Sequence, residues 1–223
     1  MIAAAPSSAR PRGAARRDAL LDAVLRVVAD EGVDAVTHRR VAEVAGLPLA
    51  STTYWFESKE HLLTAALQSA AERDIARLRA FVHEAPKPAA DPLALAVGAI
   101  LGPIENTGQT SRGWLLATYA LMLEAARRPA LREVTTRWTE AYLGALAPLL
   151  AAAGSQHPRA DAELLLAAAD GLLLEQLAAD DATAKAPQSG AADQFTKAPP
   201  SGAADQFNLT PRLRRLADAL VKA

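Results

Sequence analysis

The sequence predicts an all-α protein of about nine helices, and three features support this. Ala and Leu dominate a composition that is 51% hydrophobic and only 4% aromatic. Alternating runs of Val, Ile and Thr, which favour strands, are nearly absent. Apolar residues recur at helical spacing between Gly, Pro, Ser and Thr residues of the kind that begin and end helices. Because 223 residues of this composition can bury a full core, a wholly disordered chain is excluded.

The N-terminal third predicts four helices, at 18–31, 37–46, 48–56 and 58–81. Thr37 and Ser58 are good N-cap residues, and Gly32 and Gly46 stand where left-handed C-terminal caps are expected. Pro48 can open the third helix because a proline in the first turn loses no hydrogen bond. Residues 1–15, rich in Ala, Pro, Ser and Arg, predict a disordered basic arm.

The remainder predicts five more helices, at 91–104, 111–128, 129–153, 158–179 and 210–222. Between the last two, KAPQSGAADQF at 185–195 is repeated as KAPPSGAADQF at 197–207. Segments of this composition cannot bury a core, so residues 181–209 predict a flexible loop that carries a tandem repeat. The alternative is that Phe195 and Phe207 mark a partner-binding segment.

Several functional classes are disfavoured. The chain has no Cys, so it has neither disulfides nor thiolate metal sites, which suits a cytoplasmic protein. No P-loop, G-x-S-x-G or H-E-x-x-H motif occurs, so an enzyme is improbable, and we expect no cofactor and no metal. The most apolar run, Leu164 to Leu177, is interrupted by Asp170 and Glu175 and is too short for a membrane anchor. With a net charge of −1, any surface for nucleic acid must be local.

Residues 37–59 form the pattern that carries function. They read THRRVAEVAGLPLASTTYWFESK, which is a short helix, a glycine turn, a second short helix and a capped third. Two short helices around such a turn are typical of a helix-turn-helix. In the second of them, Thr52 and Phe56 are expected to point inward. Residues 49, 50, 53 and 54 share another face and are expected to point toward DNA.

Residues 16–63 resemble the DNA-binding head of the TetR family, with the core AGLPLASTTYWFESKEHLL at 45–63. The resemblance implies a three-helix DNA-binding domain at 16–60 and a six-helix domain at 61–223 for ligand binding and dimerisation. It also implies a repressor that a small molecule releases from operator DNA. The DNA-contacting positions that it implies are Thr37, Arg39, Arg40, Leu49, Ala50, Ser51, Thr53, Tyr54 and Lys59. Leu49 and Ala50 stand where the family often has Lys-Gly, so contact with thymine methyl groups is expected to replace a basic contact.

The resemblance further implies a homodimer through the last two long helices and a mostly apolar effector. Pocket residues expected from the two helices at 111–153 are Trp114, Tyr119, Met122, Trp138 and Tyr142, and the alternative is that these residues are simply core. Glu124 or Glu175 could anchor a ligand, unless both are solvated. A third interpretation keeps the helix-turn-helix but gives the body a protein partner and no ligand.

Overall fold

The computed structural model describes residues 12–86, 91–105, 112–179 and 209–222, and in these ranges it contains nine α-helices, one 3-10 turn and no strand. The predicted all-α fold is confirmed. The helices are α1 (Arg12–Glu31), α2 (His38–Ala45), α3 (Leu49–Trp55), α4 (Lys59–Glu84), α5 (Pro92–Glu105), α6 (Arg112–Glu124), α7 (Pro129–Ala152), α8 (Pro158–Ala179) and α9 (Leu209–Lys222), with the 3-10 turn at Val33–Ala35.

The predicted helix caps are present as local hydrogen bonds. The Thr37 side chain accepts from the Arg40 N–H at 3.1 Å, and the Ser58 side chain accepts from the His61 N–H at 3.1 Å. These bonds satisfy N–H groups that a helix leaves without partners in its first turn. Gly46 ends α2 at φ 64°, in the left-handed region that glycine adopts without strain.

Three helix boundaries differ from the sequence prediction by three residues or more, and one of them is the end of α4, at Glu84 rather than residue 81. α1 begins at Arg12 rather than residue 18, so residues 12–15 are helical and not part of a disordered arm. α6 ends at Glu124 rather than residue 128, because a residue before proline disfavours helical geometry and Arg128 instead becomes the extended N-cap of α7. Residues 1–11, residues 106–111 and the tandem repeat at 185–207 lie outside the described residues.

The head, which we define as α1 to α3, and the body, α5 to α9, share one hydrophobic core. α4 starts beside α3 and continues into the body, where it packs on α5 and α7. α1 packs on α2 and α4 and also on α6 of the body. The domain boundary predicted at residue 60/61 therefore falls inside the first turn of α4, and both α4 and α6 connect the body to the head.

The body encloses its core with close helix contacts. α7 packs on α8, and α9 packs on both α5 and α8. At the crossing of α4 and α5, a Cβ on Gly98 would lie 2.8 Å from Cζ of Phe81. Only a glycine permits this approach without displacing the ring. No helix in the described ranges is long and apolar enough to cross a membrane.

Candidate DNA-binding surface and internal cavity

Helix α3 separates its buried and exposed residues as the sequence pattern predicted. Thr52 and Phe56 are 0% and 1% exposed, and the Thr52 hydroxyl donates to the Leu49 carbonyl at 2.7 Å. Leu49 is 50% exposed and Tyr54 is 78% exposed, and residues 50 and 53 are exposed beside them. An exposed Leu and Tyr on the same face of a seven-residue helix form an apolar surface that the fold itself does not use.

Hydrogen bonds fix α2 and α3 against each other. His38 Nε2 donates to the Phe56 carbonyl at 2.9 Å, which joins the start of α2 to the end of α3. Arg26 of α1 donates to the Val44 carbonyl at 3.2 Å. The Thr53 hydroxyl donates to the Ala50 carbonyl at 3.3 Å, so its oxygen still has lone pairs to accept another bond. These bonds tie the two helices of the motif to each other and to α1, so they set the orientation of the exposed face of α3.

Two of the three basic residues that the sequence assigned to DNA are paired within the protein. Arg40 lies 2.7 Å from Glu31 and 3.0 Å from Glu43, and the hydrogen bonds to these carboxylates raise the pKa of Arg40. Lys59 donates to the Asp34 carbonyl at 3.0 Å. Arg39 is exposed, and in the part of the chain that the structure describes it forms no ion pair.

The N-terminal turns of α1 add two basic residues, Arg16 and Arg17, that the sequence analysis did not assign to DNA contact. The Arg17 guanidinium stacks over the Phe56 ring at 5.7 Å, and Arg16 is exposed one residue earlier. A Cβ on Gly13 would touch the Trp55 ring at 3.6 Å. These contacts bring the start of α1 to the end of α3. The signal that could have shown it is helix propensity, because residues 14–17 read AARR, and Ala and Arg are strong helix formers.

The five aromatic and Met residues predicted to line a ligand pocket all line one internal cavity of about 80 Å³. The cavity lies among α4, α5, α6, α7 and α8. Trp114 and Trp138 meet edge to face with ring centroids 6.2 Å apart. The remaining lining residues are Asp74, Ile100, Leu115, Thr118, Thr139, Leu166, Asp170 and Leu173.

Asp74 of α4 is 3% exposed and receives three hydrogen bonds. Trp138 Nε1 donates at 2.9 Å and the Tyr142 hydroxyl at 2.7 Å, both to Oδ2, while Arg77 donates to Oδ1 at 3.0 Å. Burial, together with the Asp74 charge, raises the pKa of Tyr142, so this phenol stays neutral and donates. The cluster holds α4 against α7.

Asp170 of α8 is the second carboxylate at the cavity. It accepts from the Tyr119 hydroxyl at 2.9 Å, and within the described ranges it forms no ion pair. Burial raises the pKa of Asp170, because the low dielectric disfavours the charged carboxylate. Burial also raises the pKa of Tyr119, and the nearby Asp170 charge adds to this shift.

Neither glutamate considered as a ligand anchor lines the cavity. Glu124 pairs with Arg128 at 2.9 Å, and the Glu175 side chain is 69% exposed and lies 3.6 Å from Arg212. The two aspartates of the cavity were not selected by the sequence analysis. Asp74 stands among charged residues in ERDIAR, which by sequence is typical of a solvated helix face, whereas Asp170 interrupts the apolar run at 164–177 and was noted there only as evidence against a membrane anchor. Among the described residues, no group of three His, Cys, Asp or Glu residues is placed to hold a metal.

Comparison with known proteins relates both parts of the chain to transcriptional regulators. Residues 88–198 match the family described as "Tetracyclin repressor-like, C-terminal domain". Over 119 residues, the chain is 35% identical to the HTH-type transcriptional regulator BetI of Rhizobium meliloti. That match covers 53% of this chain and 56% of BetI, so it spans about half the length of the curated relative.

Solved structures cover nearly the whole chain. A member of the TetR family from Streptomyces coelicolor A3 is 32% identical, with a TM-score of 0.62, over 92% of this chain and 98% of the other. The multidrug binding protein EbrR, solved with ethidium, is 29% identical, with a TM-score of 0.60, over 92% and 98%. A transcriptional regulator from Rhodococcus sp. Rha1 has a TM-score of 0.69 at 20% identity, over 92% and 95%, and so shares the fold.

Proposed function

Since this chain belongs to the TetR family of transcriptional regulators, we propose that it is a homodimeric repressor whose α3 reads operator DNA in the cytoplasm and which a small molecule releases. The observation that carries the proposal is the division of α3, with Thr52 and Phe56 buried and an exposed row formed by residues 49, 50, 53 and 54. A recognition helix needs one face that holds the head together and another that reaches base edges.

The exposed row has the chemistry for base contacts. The Leu49 side chain and the Ala50 methyl suit thymine methyl groups, and the hydroxyls of Thr53 and Tyr54 can donate or accept at base edges or phosphates. The N-terminus of α2, capped by Thr37, offers N–H groups to a phosphate. Exposed Arg16 and Arg39 supply positive charge beside them. We assign residues 49, 50, 53 and 54 to the reading of base edges. The N-terminus of α2, Arg16 and Arg39 are assigned to phosphate contacts that position the head.

A dimer follows from what a single head can do. One short helix-turn-helix gives little affinity, whereas two heads about 34 Å apart can read successive major grooves. Helix α8 supports this with an exposed stripe at spacings of four and three residues, which suits helix packing between subunits. Its members are Ala160, Leu164, Ala167, Gly171, Leu174 and Ala178. Leu164 is 56% exposed and Leu174 is 46% exposed, which leaves a large apolar surface for a partner helix.

Ligand release is supported by the position of the cavity. α4 and α6 both line it, through Asp74 and Trp114 among others, and both helices pack on α1 of the head. Arg73 of α4 also bonds Asp22 of α1 at 2.7 Å. A ligand that separates the cavity walls would shift these helices and the heads that they carry. The EbrR structures with ethidium and with imidazole support a small-molecule ligand.

The DNA-binding proposal is tested on a duplex that the purified chain selects from a random-sequence library, compared with a scrambled duplex of the same composition. Fluorescence anisotropy gives the affinity for each. Thr53→Ala and Tyr54→Phe are expected to cost about 1 to 3 kcal/mol on the selected duplex and less on the scrambled one, as for lost base contacts. Failure to select any preferred sequence would reject the proposal.

Thr135→Ala is the matched control. The Thr135 hydroxyl of α7 donates to the Arg132 carbonyl of its own helix at 2.9 Å, as Thr53 does to Ala50, but it lies in the body. The control is expected to leave both affinities unchanged. If Thr53→Ala and Tyr54→Phe weaken both duplexes equally, these residues only position the head, and DNA shape and the remaining α3 contacts carry the specificity.

A further inference from the structure

We infer that the internal cavity takes a small organic cation with apolar or aromatic substituents, which the carboxylate of Asp170 holds against the rings of Trp114, Tyr119 and Trp138. The inference rests on the proposed ligand-responsive function and names the chemical class of its effector. It narrows the mostly apolar effector that the sequence implied.

The charges around the cavity leave one negative group without a cation. Asp74 and Arg77 form an ion pair at 3.0 Å and balance each other. Asp170 has only the neutral Tyr119 hydroxyl as a partner among the described residues. A carboxylate in a low-dielectric pocket is costly unless a positive charge accompanies it. A bound cation would supply that charge.

The aromatic lining suits a cation as well. Trp114 and Trp138 stand at 67° to each other, so one ring presents its edge and the other a face. The Arg77 guanidinium already lies 5.9 Å from the centre of the Trp114 ring, which places one cation against the same cluster. Aromatic faces with carboxylates are the groups by which proteins recognise quaternary and protonated amines.

Four of the side chains in the lining already use their hydrogen-bond donors within the protein, which disfavours an anion. Trp138 and Tyr142 donate to Asp74, and Tyr119 donates to Asp170. The Thr118 hydroxyl donates to backbone carbonyls of its own helix at 3.0 Å. A carboxylate or sulfonate ligand would have to displace these bonds and would meet the negative charge of Asp170.

The cavity volume limits the size of the ligand. About 80 Å³ is well below the roughly 300 to 1,000 Å³ of a drug-sized pocket. A compact ammonium therefore fits with little rearrangement, and a larger cation needs flexible lining such as Met122 to move. Such widening would act on α4 and α6, the two helices that contact the head.

The test compares three compounds of nearly the same shape by isothermal titration calorimetry on the full chain. Phenyltrimethylammonium carries the charge, tert-butylbenzene is its neutral carbon isostere, and benzenesulfonate is an anion. We expect the cation to bind at least tenfold more tightly than the isostere, and the anion not to bind. Equal or tighter binding of the isostere would overturn the inference.

Three variants test whether the Asp170 carboxylate recognises the positive charge of the ligand. Asp170→Asn is expected to weaken the cation at least tenfold and to change the isostere less than about threefold, because only the charge is removed. Glu163→Gln is the matched control, since it removes a carboxylate from an exposed site on the same helix. Tyr119→Phe keeps the Asp170 charge and is expected to retain the cation. A loss in folded Tyr119→Phe as large as in Asp170→Asn would place recognition in the hydroxyl and contradict the inference.

Anisotropy of the selected duplex separates this inference from the proposed function. If the cation binds with the expected selectivity but does not release DNA, the cation site stands and ligand release fails. If a neutral compound enters the body and releases DNA while the cation does not bind, ligand release stands and the cation site is rejected.

Discussion

The buried Asp74 cluster supplies the sharpest test of how the body is held together. Asp74→Ala removes a carboxylate that accepts from Arg77, Trp138 and Tyr142. Trp138 and Tyr142 are 7% and 8% exposed, so neither can exchange its lost partner for bulk water. An unsatisfied buried donor costs about 1 to 3 kcal/mol, and breaking a buried ion pair costs roughly 3 to 5 kcal/mol.

These contributions overlap, because they describe the same carboxylate. We therefore expect Asp74→Ala to lower the free energy of unfolding by about 3 to 5 kcal/mol, a large share of the roughly 5 to 15 kcal/mol that stabilises an ordinary domain. Urea unfolding followed by circular dichroism measures it, with all proteins at one concentration because association adds to apparent stability.

The matched control is Asp22→Ala, which breaks the other Asp–Arg pair of α4. Asp22 and Arg73 are 2.7 Å apart, but their side chains are 43% and 34% exposed. Water replaces much of that interaction, so the expected loss is at most about 1 kcal/mol. A loss below about 1 kcal/mol for Asp74→Ala, or equal losses for the two variants, would refute the argument from burial.

Three further predictions concern DNA binding, assembly and pH. Lys59→Ala is expected to weaken the selected and scrambled duplexes alike and to flatten the salt dependence by about one charge, whereas a larger loss on the selected duplex would contradict a phosphate role. Leu174→Arg is expected to convert the dimer to a monomer in light scattering, while Leu123→Arg, at a leucine 76% exposed on α6, is expected to leave it intact. Since burial raises the folded-state pKa of Asp170, its charged form opposes folding above that pKa, and this penalty shrinks as pH falls from the folded-state pKa toward the lower pKa of the unfolded chain. Asp170→Asn is therefore expected to be more stable than the parent chain at pH 7, with a difference that shrinks toward acid, and a variant less stable at pH 7 would contradict this. The other ionisable side chains around Asp170 are present in both proteins, so the comparison isolates the Asp170 carboxylate. They are Asp74, Arg77, Tyr119 and Tyr142.

Local sequence was sufficient for most of the helix boundaries. Thr37, Gly46 and Ser58 begin or end helices through bonds or backbone angles that involve at most a few neighbouring residues. Helical spacing was equally sufficient for the exposed face of α3, because a helix places residues 49 and 53 together whatever surrounds it. These features depend on geometry within one helical turn, and so a single sequence contains them.

Contacts between distant segments decided the rest. α1 extends back to Arg12 beside Trp55 and Phe56, about forty residues away in the sequence. Arg40, predicted to contact DNA, also pairs with Glu31 across the α1–α2 junction. Neither pairing has a local pattern, because complementary charges and ring faces become neighbours only after the helices pack.

The lining of the cavity was likewise predictable from sequence in one part and decided by tertiary packing in the other. Helical spacing and the resemblance to a family were enough to select Trp114, Tyr119, Met122, Trp138 and Tyr142, because large apolar side chains on packed helices point inward. They could not select Asp74 and Asp170, since a carboxylate in a helical sequence is usually solvated. Only the packing of α4, α6, α7 and α8 places these two charges beside the aromatic rings. The electrostatic character of the cavity is therefore a property of the tertiary structure, because a charge becomes significant for recognition once water is removed from around it.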